Sequence, residues 1–212
     1  MRNMLMMRRR NMRNMRNTEK KSEITTVTAM ESQPFIRTPA CHTGHILVYE
    51  VGNHKIYGAG ASRSPNLNTR HVIVDLAGNF SSVIKCEGIF PHLEKYNHRR
   101  LIKIDWPDYG VPNVGKEFWF DFARSILMHE QPLEIVFICD GGHGRTGTAL
   151  AIIGCLLGLI PDDVCPVKFV RGRYCHRAVE GNDQADYIER ITGRLVTTSV
   201  YREVTDWAKF LA

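Results

Sequence analysis

The stretch Ile135-Val136-Phe137-Ile138-Cys139-Asp140-Gly141-Gly142-His143-Gly144-Arg145-Thr146-Gly147 decides the fold. Its first four residues are apolar and β-prone, the composition of a buried strand. Beyond Gly147 an apolar run over residues 149–160 predicts a buried helix. Between them lies a turn with Cys139 at one end, Arg145 six residues on, and Gly141, Gly142 and Gly144 inside. A strand that ends in a glycine-rich turn and feeds a helix makes an anion cradle. Small residues let backbone N–H groups approach a ligand, and the helix N-terminus adds partial positive charge. A cysteine at the mouth of such a cradle sits in positive potential, the setting of nucleophilic thiolates. Arg145 offers a planar fork for two oxygens of a phosphate. A buried cysteine closing a strand is the plainer alternative for Cys139.

Working outward, residues 101–104 and 71–76 read as short buried strands, and 46–51 and 55–57 as a hairpin around Gly52-Asn53-His54. Gly58, Gly60 and residues 62–68 read as a loop, and 79–97 as irregular or partly helical. Phe118, Phe122 and Ile126 sit at helical spacing, predicting an amphipathic helix from Asn113 or Val114 to about His129. Pro161-Asp162-Asp163 predicts a further short helix, 171–177 a basic loop, and Asn182 the cap of a helix over 183–191 that Gly193 closes. A last amphipathic helix is expected from 197–199 to 211. Alternating short buried strands and helices predict an α/β fold: a central, mostly parallel sheet flanked by helices. The Cys139 loop then lies at a strand's carboxyl end, where open sheets bind ligands.

The 212 residues suffice for one domain with a sizeable core. Of 28 Lys+Arg and 22 Asp+Glu, eight basic residues and one acid fall within residues 1–21. The rest is nearly neutral. Residues 1–30 are therefore expected to form a basic, disordered arm, and 31–212 a single catalytic domain. Three roles are open for the arm: contact with RNA, contact with an anionic membrane surface, or organelle targeting. Met30 as the biological start is the plain alternative. The six cysteines show no Cys-x-x-Cys pair, which suits a reducing, cytoplasmic setting. No run is long enough to span a bilayer, which needs about 20 apolar residues. Cys165, Cys175 and His176 lack paired metal-ligand spacing, and no Gly-x4-Gly-Lys-Ser/Thr loop is present.

The pattern Cys139-x5-Arg145-Thr146 resembles the signature loop of the cysteine-based protein phosphatases, the protein-tyrosine and dual-specificity enzymes. A second motif strengthens the resemblance. Trp106-Pro107-Asp108-Tyr109-Gly110-Val111-Pro112 is similar to the family's mobile acid loop, Trp-Pro-Asp-x-Gly-x-Pro, and Asp108 precedes Cys139 by 31 residues. The resemblance extends over roughly residues 43–192, with its specific part at 101–147. It implies a phosphatase-like fold and hydrolysis of phosphomonoesters through a phosphocysteine intermediate, with no metal or cofactor. Cys139 would be the nucleophile, and Arg145 would hold the phosphoryl oxygens. Asp108 would act as acid and then base, and Thr146 would assist the sulfur. Asp140, Gly141, Gly142, His143 and Gly144 would line the substrate. The family's water-positioning glutamines fall on Glu180 and Gln184, where a helix-capping role is the equal alternative.

Three departures stand out. Ile138 replaces the histidine usual before the nucleophile. Asp140 puts a carboxylate beside it, harmless if it points outward and opposed to phosphate if inward. His143 stands where relatives acting on lipid or inositol phosphates often carry lysine; it would add positive charge near or below neutral pH, or simply face solvent. The expected substrate is a phosphoprotein bearing phosphotyrosine, with phosphoserine and phosphothreonine within reach, and a monomer is expected. Inositol phosphates, RNA 5′-phosphates and a catalytically weak phospho-binding relative are the alternatives.

Overall fold

The structure, a computed structural model, describes residues 43–63, 65–68, 70–78, 97–98 and 101–196. The basic arm, the segment 79–96 and the helix expected over 197–211 lie outside the described residues. Six strands form one sheet: β1 (His45–Val51), β2 (His54–Gly60), β3 (His71–Asp75), β4 (Asn97–His98), β5 (Leu101–Lys103) and β6 (Glu134–Cys139). Their order is β1-β2-β6-β3-β5-β4. The four inner strands run parallel, and β1 and β4 pair antiparallel at the edges. The α/β architecture with a sheet parallel in its core is thus the one expected.

β6 lies between β2 and β3 because it is apolar on both faces. Residues 135–139 are all buried. Ile135, Phe137 and Cys139 face the main core, while Val136 and Ile138 pack on the opposite face with Ala59, Ile73 and Leu101. Each such fully buried aliphatic or aromatic side chain contributes about 1.5–3 kcal/mol. The alternation also settles where Ile138 points. It lies on the other side of the sheet from the Cys139 side chain and contributes apolar packing there.

Four helices are described: α1 (Lys116–Met128), α2 (Gly144–Leu156), α3 (Pro166–Arg173) and α4 (Asn182–Thr192). α2 lies against β6 and β2 and touches the other three helices. It begins five residues earlier than its apolar run, inside the glycine loop, where Gly147 N–H already bonds His143 O at 2.8 Å. It ends before Ile160 because Gly158 turns at φ +67°. The helix expected at Pro161 starts at Pro166 instead. Arg194 explains this: its guanidinium bonds the carbonyls of Ile160, Pro161 and Val164, and holds the segment as a turn. Arg171 and Arg173, expected in a basic loop, form the last turn of α3. Asn182 is the first residue of α4 rather than its cap, which is Gly181; Gly193 closes the helix at φ +72°, as expected. β2 runs through Gly58 and Gly60, expected in a loop. Their missing side chains leave room for Tyr174, which a Cβ at Gly58 would meet at 2.5 Å, and for the glycine loop.

Two buried histidines fasten this sheet. His54 Nδ1 accepts Leu133 N–H at 3.2 Å, and His71 Nδ1 accepts Asn68 N–H at 3.1 Å. Burial is the main cause that lowers both pKa values below the usual 6.5. His129 adds to this at His54, whereas Glu134 opposes it at His71. The folded state therefore holds fewer protons than the unfolded one between the two pKa values. Stability is full above about pH 6.5 and falls as the pH drops through that value. Thermal melts from pH 8 to 5 should show this decline, and His54→Asn with His71→Asn, which keep an acceptor, should flatten it. An equally steep decline in the double variant would assign it to other groups.

Candidate active site

Cys139 ends β6 and is 3% exposed. Gly142, at φ +72°, then turns the chain back toward α2. β2 comes so close beside this turn that a Cβ on Gly60 would stand 2.7 Å from the carbonyl of Gly141. Other anchors fix the loop. Ser62 donates from its backbone N–H at 3.0 Å and its hydroxyl at 2.9 Å to Asp140 O. Tyr174 Oη donates to Gly142 O at 2.6 Å. Thr146 Oγ1 lies 3.1 Å from Cys139 Sγ and 3.2 Å from Ala59 O.

Arg145 is drawn under this loop, its side chain 7% exposed. Nη1 donates to Trp106 O at 3.2 Å, and Nη2 stands 3.2 Å from Asp108 Oδ1 and 3.0 Å from Asp140 Oδ2. The fork thus joins two segments 37 residues apart in sequence, from Asp108 to Arg145.

The segment carrying Asp108 is tied at its base. Trp106 is buried edge-on against Trp119 and Tyr187, with centroids 6.3 and 5.8 Å away. Its indole N–H bonds Gly110 O at 2.8 Å. Trp119 donates to Tyr187 Oη at 2.6 Å, and Tyr187 donates to Val114 O at 2.8 Å. Burial pushes the Tyr187 phenol up to about 12, so it stays a donor. Asp108 and Tyr109 are exposed at the tip, and Tyr109 has φ +57°.

Glu180 and Gln184 reach the loop from the side of α4. Glu180 Oε2 accepts Gly144 N–H at 3.1 Å, and its other oxygen pairs with Arg177 at 3.1 Å. A carboxylate there meets the positive end of α2, so Glu180 caps a helix, though not its own. Gln184 is 1% exposed and accepts Glu180 N–H at 3.0 Å. Val179 is held at φ +62°, unusual for a β-branched residue, while Arg171 bonds the carbonyls of Ala178 and Val179 at 2.9 and 3.0 Å.

Two expectations change. His143 does not face solvent; it is buried, with Nδ1 3.4 Å from Cys175 Sγ. Asp140 is exposed, as an outward side chain would be, yet its carboxylate turns back onto Arg145. Gly60, Ser62, Arg171 and Tyr174 were not legible as loop anchors; only the glycine within an apolar run carried a signal, that of a close backbone approach. Of the other cysteines, Cys155 is pushed up to about 11, mainly by burial. Among the described residues no cluster of three or more His, Cys, Asp or Glu is arranged to hold a metal ion, and no helix is long and apolar enough to cross a membrane.

One turn thus carries a thiol and a guanidinium, and the guanidinium meets an exposed carboxylate from a second segment. No family model matches the chain. It is 40% identical over 82 residues to "Uncharacterized protein MJ0215" and 39% identical over 82 residues to "Uncharacterized protein MJECL20", both of Methanocaldococcus jannaschii. Each match takes in 38% of this chain, and 48% and 52% of those proteins respectively. The chain thus spans about half the length of the curated relatives it matches. Among solved structures, "Tk-PTP in the active form" aligns at TM-score 0.47 and 18% identity, over 72% of this chain and 98% of that one. A mutant form of Tk-PTP aligns at TM-score 0.42 and 16% identity, over 71% of this chain and 95% of that one.

Proposed function

We propose that the chain hydrolyses phosphomonoesters through a phosphocysteine intermediate, acting on phosphoproteins as a tyrosine or dual-specificity phosphatase. The observation that carries this reading is the 3.2 Å approach of Arg145 Nη2 to Asp108 Oδ1, which joins the cation of the Cys139 loop to the carboxylate of a separate segment. In the first step Cys139, its thiol proton released to solvent beforehand, attacks phosphorus as a thiolate. The S–P bond forms, the bond to the leaving oxygen breaks, and Asp108 gives that oxygen its proton. In the second step Asp108 takes a proton from water, which attacks phosphorus. The S–P bond breaks, inorganic phosphate leaves, and the Thr146 hydroxyl supports the departing sulfur. Arg145 binds the phosphoryl oxygens throughout, and more tightly as charge builds in the transition state.

The test is hydrolysis of an aryl phosphate in EDTA across pH 5–8, with Asp108→Asn in parallel. The wild-type chain should turn over without added metal. The variant should lose about 10²-fold in kcat, with a smaller change for substrates whose leaving group needs no proton. A folded wild-type chain inert toward aryl phosphates and phosphopeptides alike would sink the reading.

A further inference from the structure

Arg145 Nη2 carries two protons, and two carboxylates stand on it: Asp140 Oδ2 at 3.0 Å and Asp108 Oδ1 at 3.2 Å. Nη1 is turned to Trp106 O. A phosphoryl group that binds through Nη2 therefore competes with these carboxylates for the cation. The two carboxylates differ in freedom. Asp108 belongs to a separate segment of the chain. The backbone of Asp140 is pinned through its carbonyl by the Ser62 N–H and hydroxyl, so only its side chain can turn away. That side chain is 60% exposed, which leaves room to do so.

We propose that Asp140 is a specificity-determining residue of this loop, an internal carboxylate that holds Arg145 while the cradle is empty and yields to phosphate. This rests on the reading of the loop as a phosphate cradle. Displacement makes phosphate binding weaker than the fork alone would give, since a charge-assisted hydrogen bond must be exchanged. Once displaced, the Asp140 carboxylate stays at the mouth as a negative charge close to the bound ligand. It then opposes any further phosphate on the same molecule, an opposition that salt weakens. The substrates favoured are singly phosphorylated and otherwise neutral or basic, rather than inositol polyphosphates or RNA ends.

Calorimetric binding of inorganic phosphate and of pyrophosphate to the full chain carrying Cys139→Ser tests this at low salt. Asp140→Asn keeps the side-chain shape and removes the charge, Asp140→Ala removes both, and thermal melts check that each variant folds. Both should bind phosphate about tenfold more tightly than the parent, with a larger gain for pyrophosphate. Arg145-dependent phosphate binding that Asp140→Asn leaves unchanged would overturn the competition. A pyrophosphate gain no larger than the phosphate gain would overturn the selectivity. If neither the parent nor the Asp140 variants bind phosphate in an Arg145-dependent way, the cradle reading fails, and this inference with it.

Discussion

Cys139→Ser should abolish turnover of an aryl phosphate, with a loss of about 10⁴-fold or more, while the chain stays folded and still binds phosphate. A serine hydroxyl at this position is a far poorer nucleophile than a thiolate at neutral pH. It is also a far poorer leaving group for the second step. The structural cost of the exchange is small. Cys139 is buried at the end of β6, and the oxygen that replaces its sulfur can take up the hydrogen bond from Thr146 Oγ1. The melting temperature and the phosphate affinity should therefore stay close to those of the wild type. Separating catalysis from binding is what makes this result decisive. A serine variant that keeps its activity would return Cys139 to the role of a core thiol. The covalent step has its own readout: acid-quenched wild-type protein mixed with excess substrate should carry one phosphoryl group on the peptide containing Cys139.

How much of this could be read from the chain depends on where the information sits. The Cys139 loop was legible because β6 is apolar on both faces and is followed at once by three glycines and a helix. That order of residues is local, and its physical meaning needs no partner. Asp108 stood out through a seven-residue pattern, and its carboxylate lies 3.2 Å from Arg145 Nη2. The anchors were not legible. Tyr174, Ser62 and Arg171 each act through hydrogen bonds to backbone carbonyls, and for Tyr174 and Ser62 those carbonyls lie 32 and 78 residues away. One tyrosine, serine or arginine among many leaves no periodic trace. The displaced start of α3 has a similar cause. Pro161 and Pro166 are equally suited to open a helix, and Arg194 decides between them from 30 or more residues downstream. The side-chain directions of Asp140 and His143 also lay beyond the pattern, because they follow from Arg145 and Cys175 rather than from the loop's own sequence.

Arg145→Lys, nominally conservative, should lower kcat/KM by about 10³-fold. The guanidinium makes two contacts from one nearly buried position: it holds the Trp106 carbonyl through Nη1 and faces Asp108 through Nη2. The proposed function adds a third, a planar fork for two phosphoryl oxygens. A lysine ammonium is a single point of charge and cannot make these contacts together. The loss should therefore fall on both phosphate binding and the seating of the acid loop, raising KM and lowering kcat. A double-mutant cycle with Asp108→Asn separates the two contributions. If Arg145 acts partly by placing Asp108, the double variant should lose less than the product of the single losses. Multiplying losses would mean that the 3.2 Å pair plays no part in turnover and that Arg145 serves phosphate alone. The cycle thus asks whether the two loops work as one unit, which is the property that distinguishes a working phosphatase site from a phosphate cradle with an acidic loop lying beside it.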